Sequence, residues 1–148
     1  MGISPHISVR SCAKVDRAVS KIEGTPPVSD ASRIVAAFQQ AMGSGDFVAA
    51  RKLLRDDLSF RGPIGTFDSA DALTEALKRL QSFVERADVR KMFADGDDVC
   101  VLFDLVTNTP GGTALVAEWY RVERGKIAMM RAMFDARRFA AMLGSEGN

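Results

Sequence analysis

The chain has 148 residues, 47% apolar and 26% charged, with 20 Lys and Arg against 19 Asp and Glu. That is the composition of one globular domain large enough to bury a core without staples. A net charge of +1 gives no electrostatic footprint for nucleic acid, and no apolar run reaches the roughly 18 residues of a membrane span. Two cysteines, Cys12 and Cys100, make no disulfide framework and suit a reducing, cytoplasmic compartment. His6 is the one histidine, so a zinc site of several histidines is excluded, and a Ser-His or Cys-His pair has no base outside the first residues. The glycines follow neither GxxxxGK[ST] nor GxGxxG. No metal and no organic cofactor is expected.

Residues 1–28 read as an N-terminal arm. "VRSCAKVDRAVSKIEG" sets Arg10, Lys14, Arg17 and Lys21 at helical spacing beside a narrow stripe of Val15, Val19 and Ile22. Pro26 and Pro27 then break it. The compact domain spans 29–148. Ser29 or Asp30 caps a first helix with Ile34, Phe38, Ala41 and Met42 on one face, ended by Gly43 and Gly45. Asp46 caps a second, "FVAARKLL", and "LSF" is a short strand before the turn "RGPIG". A third helix, "ADALTEALKRLQSFV", follows Ser69 with Leu73, Leu77, Leu80 and Val84 as its stripe. Beyond it the apolar period changes from 3.6 to 2. "ADVRKMFA" turns at Asp95-Gly96-Asp97 into "VCVLFDLVT", and "TALVAEWYRV" turns at "ERGK" into "KIAMMRAMF". A short helix, "ARRFAAML", closes the chain, with Asp135 as its expected N-cap. Helices followed by a meander of hairpins mean an α+β domain with helices on one face of a sheet.

This order, with "GDFVAARKLLRDDLSFRGPIG", "FADGDDVCVLF" and "RVERGKIAMMRAMFDARRF", resembles the nuclear-transport-factor-2-like superfamily and, within it, the SnoaL-like group. The resemblance implies a cone: a curved antiparallel sheet with three N-terminal helices on its concave face, around one apolar pocket. It also implies pairing of two copies through the outer sheet face, here Trp119, Met129, Arg131 and Met133. Two known catalytic sets are missing from it. The ketosteroid isomerase pattern places Phe38 where a tyrosine is needed and Gly62 where an aspartate is needed, and keeps only a late-strand acid, Glu118. The limonene epoxide hydrolase pattern places Ala132 where an aspartate belongs, and its strand of Arg and Asp offers Asp104 alone.

By the same resemblance the face of Glu118 is the concave one. Strand alternation then turns Tyr120 inward with it, and Met130, Ala132 and Phe134 inward on the last strand. With Phe38, Phe60 and Phe103 they line an apolar pocket for a small molecule. Glu118 is the candidate acid or base, its pKa expected above the usual value of roughly 4.3 because burial disfavours charge. Two functions fit this pattern. One is a cofactor-independent cyclase, dehydratase or isomerase; the other is a non-catalytic domain that binds an apolar ligand or dimerises.

Overall fold

A computed structural model describes residues 29–140. The expected arm and the end of the expected last helix, residues 141–148, lie outside the described residues. Three helices come first: α1 (Asp30–Gly43), α2 (Phe47–Lys52) and, after two strands, α3 (Ala70–Gln81). Each starts where an oxygen-bearing side chain satisfies an amide that the first turn leaves free. Ser29 accepts from the Ser32 amide at 3.1 Å, Asp46 from Ala49 at 3.0 Å and Ser69 from Ala72 at 3.1 Å. The strands are β1 (Leu54–Gly62), β2 (Gly65–Phe67), β3 (Val84–Asp95), β4 (Asp98–Thr107), β5 (Thr113–Glu123) and β6 (Lys126–Met133).

They form one curved six-stranded sheet in the order β2-β1-β6-β5-β4-β3. Every pairing is antiparallel except β1 with β6, which is parallel, so the sheet is mixed. The expectation of a purely antiparallel sheet is corrected there. Hairpin turns connect β3 through β6 in sequence, and none of them dictates where β1 docks. β1 is also longer than "LSF" alone suggests. Leu53 ends α2, and Leu54 pairs at once with Ile127. The third helix stops at Gln81 rather than Val84, because Val84 enters β3 opposite Thr107. Both expected hairpins form, with Gly96 at φ 62° in one and Arg124 and Gly125 at φ 51° and 82° in the other.

All three helices cover one side of the sheet. The apolar residues between the layers include Val35 and Phe38 from α1, Leu73 from α3, and Leu58, Val101, Val116, Tyr120 and Met130 from the strands. Arg51 ties the helical layer to the sheet rim: its guanidinium reaches Asp71 at 2.7 Å and Asp56 at 2.8 Å. Both carboxylates are well exposed, so each pair contributes at most about 1 kcal/mol.

After β6 the chain makes a 3-10 turn, Arg137–Phe139. Ala136 is its N-cap residue. Asp135 accepts from the Arg137 amide at 3.1 Å and pairs with its side chain, so the expected cap lies one position early. Phe139 packs on the loop between β4 and β5, where a β-carbon on Gly111 would lie 2.6 Å from the Phe139 ring and 2.8 Å from the Arg138 carbonyl oxygen. That close approach needs glycine. Gly111→Ala is expected to lose about 1–3 kcal/mol in urea unfolding. Gly43→Ala, with open space around it, should be unchanged or gain up to about 1 kcal/mol.

Candidate active site

A cavity of about 160 Å³ lies between the helices and the concave sheet face. That is close to the size at which an apolar cavity admits a single benzene ring. Its floor is buried: Phe38 of α1, Phe60 of β1, Phe103 of β4, Val116 of β5, and Met130 and Ala132 of β6. Its rim is exposed and combines the end of α1, at Gly43, with the start of β3, at Glu85, Arg86 and Ala87. Strand alternation is what turns these residues inward. On β5 the residues 114, 116, 118, 120 and 122 face the helices, while Leu115, Trp119 and Arg121 face away.

Of the residues singled out from sequence, Phe38, Phe60, Phe103, Met130, Ala132, Phe134 and Glu118 all line this cavity. Tyr120 does not. It is fully buried beside Glu118, with its ring edge-on to Phe38 at 6.1 Å. Its hydroxyl is a support for Glu118 rather than a cavity wall. Arg61 is also not a lining residue; it pairs with Asp68 at 3.0 Å. Asp104 lies on the opposite face, held by Arg90.

Three side chains form the polar end. The Tyr120 hydroxyl donates a short hydrogen bond to Glu118 Oε1. The Gln39 amide Nε2 donates to the Tyr120 oxygen at 2.5 Å and to Glu118 Oε1 at 3.2 Å. The chain is directional: the Tyr120 oxygen accepts from Gln39, so its own proton must go to Glu118. Oε1 is therefore an acceptor, and a proton on the carboxyl sits on Oε2. No hydrogen bond among the described residues engages Glu118 Oε2 or Gln39 Oε1. Among the described residues, no side-chain oxygen is both enclosed and unpartnered, so these two atoms keep accessible surface. Both residues line the cavity.

Gln39 is the member that sequence reasoning missed. Reading the first helix through Ile34, Phe38 and Met42 leaves position 39 off the stripe. The signal was Val35, fully buried one helical turn earlier at i−4, which puts Gln39 on the edge of the inward face.

Burial raises the Glu118 pKa above the ordinary carboxylate value, and the hydrogen bonds from Tyr120 and Gln39 pull it part of the way back. Tyr120 is pushed well above the usual phenol value, first by burial and then by Glu118, so it stays a donor. The neighbouring elements add few charges. β4 and β6 place Val101 and Ala132 opposite Glu118, and Glu85 and Arg86 stand at the rim. Cys100, on the other face of β4, is raised by burial and then by Glu118.

A raised folded-state pKa means that the folded protein binds more protons than the unfolded chain. The stabilising contribution is complete below the unfolded value of about 4.3 and is lost as pH rises through the folded value. Glutamine has the same shape without that loss. The stability advantage of Glu118→Gln over the parent should therefore grow as pH rises above about 4.3, measured by urea unfolding. Asp135, held at about 2 by Arg137, titrates below this window. A difference that is constant or shrinks with pH would contradict a raised Glu118.

Gly62 shows why the isomerase-type aspartate has no counterpart. A β-carbon there would come within 3.1 Å of both Ala132 Cβ and the Phe60 ring. The space that such a carboxylate needs is filled by the wall of the cavity.

Solved structures share this architecture. An NTF2-like protein of unknown function from Cytophaga hutchinsonii is 28% identical, with TM-score 0.67 over 78% of this chain and 97% of that one. An LEH-like epoxide hydrolase from Mycobacterium tuberculosis is 25% identical, with TM-score 0.64 over 81% and 93%. A de novo designed protein with a curved β-sheet is 22% identical, with TM-score 0.68 over 79% and 96%, a likeness of fold alone. No curated protein matches in sequence. The family profile described as SnoaL-like domain matches residues 35–130, more than half of the chain. The chain belongs to the SnoaL-like family of the nuclear-transport-factor-2-like superfamily.

Proposed function

We propose that this is a small-molecule pocket enzyme of the cyclase, dehydratase or isomerase kind, working without metal or organic cofactor through Glu118. The observation that carries the reading is a carboxyl at the end of an apolar cavity, with Oε1 anchored by Tyr120 and Gln39 and Oε2 without a partner among the described residues. Burial brings its pKa toward working pH, which makes it both a stronger base and a usable acid. One such group is enough for proton chemistry that returns to its start. Oε2 takes a proton from a carbon beside a ligand carbonyl. It then gives that proton to another carbon, to a departing hydroxyl, or to the oxygen of a carbonyl that the new carbanion attacks. These three endings are isomerisation, dehydration and ring closure.

Epoxide hydrolysis, suggested by the Mycobacterium tuberculosis relative, is disfavoured. Ala132 supplies no carboxyl, and Asp104 lies behind the sheet with Arg90. The alternative is a binding domain without turnover, favoured by the lack of a second ionisable group on the cavity floor among the described residues. Exchange of the α-hydrogens of single-ring ketones in deuterated water separates the two. Proton NMR should show protein-dependent exchange that falls about a hundredfold or more in Glu118→Gln. Exchange undiminished in that variant removes Glu118 from the chemistry.

The outer sheet face supports an assembly of two copies. Phe93, Leu115, Trp119 and Met133 are exposed at 36, 63, 41 and 54%, a large share of apolar surface for one face. Of the two edge strands, β2 and β3, the longer, β3, is an unsuitable contact. It carries Glu85, Arg86, Asp88, Arg90 and Lys91 and is broken by two register shifts, both devices that blunt edge pairing. Sedimentation at tens of micromolar, a working range of order 10⁻⁵ M for weak dimers, should show a dimer that Trp119→Glu converts to monomer. A parent that sediments as a monomer overturns the pairing.

A further inference from the structure

We infer that Gln39 selects the ligand: its amide oxygen reads a hydroxyl on a single-ring ketone whose reacting carbon faces Glu118. The inference rests on the acid-base reading for the role of Glu118, and adds a second contact and a substrate class. Both bonds that Nε2 makes, to Tyr120 and to Glu118 Oε1, point the amide nitrogen into the protein. They fix which end of the amide is which, and leave Oε1 without a partner among the described residues, on a side chain that lines the cavity. An amide oxygen only accepts hydrogen bonds. The two hydroxyls of this region are already committed: Tyr120 gives its proton to Glu118, and Thr107, also in the lining, gives its own to the Gly112 carbonyl at 2.5 Å.

An acceptor in an apolar cavity loses its bond to water when a ligand enters, unless the ligand brings a donor. A plain ring ketone leaves it unpaired. The same ring with a hydroxyl pairs it, and the bond pins the ring so that one edge lies toward Glu118 Oε2. Gln39 is thus a positioning and selecting residue, and Glu118 the proton-transfer group. An anionic ligand is disfavoured, because its charge would enter beside a carboxyl with no cation on the cavity floor among the described residues.

Three probes isolate the donor: cyclohexanone, 3-hydroxycyclohexanone and 3-methoxycyclohexanone. The last two carry the same oxygen with and without its proton. Dissociation constants from ligand-observed NMR should favour the hydroxy compound over the methoxy compound by about fivefold, the worth of one net hydrogen bond. Glu118→Gln should keep that preference, because its Oε1 still receives Tyr120 and Gln39, and its other end becomes a donor that cannot accept the hydroxyl. Gln39→Met, nearly the same shape without the oxygen, should erase it. If Gln39→Met does not fold, the result with Glu118→Gln decides alone. No preference in the parent overturns the inference. So does a preference lost in Glu118→Gln, which would make Glu118 the reader of the hydroxyl. All of these are binding measurements without turnover, so a failed α-hydrogen exchange leaves them standing, and the reverse holds too.

Discussion

The pocket depends on one constraint: a carboxyl taken out of water must be held by donors that do not neutralise it. Moving a charge into an apolar space costs several kcal/mol even after relaxation, and a salt bridge is the usual compensation. Among the described residues this site uses none. Glu118 is supported by a phenol and an amide, both neutral, on one of its two oxygens. Neutral donors lower the cost of the charge without fixing the charge state, as a guanidinium would. The carboxyl is left able to exist in either form.

The surrounding fold makes that arrangement possible. Glu118 and Tyr120 are two apart on β5 and so share a face, and only a strand puts such a pair side by side. β5 lies inside the sheet, flanked by β4 and β6. The third member has to come from the opposing layer. α1 crosses β3 through β6, and its inward face carries Val35 and Phe38 with Gln39 at its margin. The parallel docking of β1 against β6 then closes the far wall, where Phe60 stands opposite Met130. Polar support therefore comes from β5 and α1, and the apolar walls from β1, β4 and β6.

Much of this was legible in the sequence, and for identifiable reasons. Period-2 alternation through "VAEWYRV" fixes which side chains share a face with Glu118, and the family resemblance fixes which face is concave. Capping residues located all three helix starts. What was not legible depends on contacts between distant segments. Nothing local in "LLRDDLSF" announces that β1 pairs with β6 in parallel, because the partner is more than sixty residues away. Tyr120 is on the correct face, yet its ring goes into the core instead of the cavity. That outcome depends on Phe38 and Gln39 across the interface rather than on alternation. Gln39 itself looks like an ordinary helix-surface glutamine until β5 is laid beneath it.

The most direct test of this account is the titration of Glu118 itself, read from its side-chain carboxyl carbon by NMR in the parent and in Tyr120→Phe. Neutral donors on a desolvated carboxylate predict a midpoint above the ordinary value of about 4.3, and a further rise when the Tyr120 hydroxyl is removed, since that bond favours the charged form. A midpoint at or below the ordinary value, or one that Tyr120→Phe leaves unmoved, would contradict it.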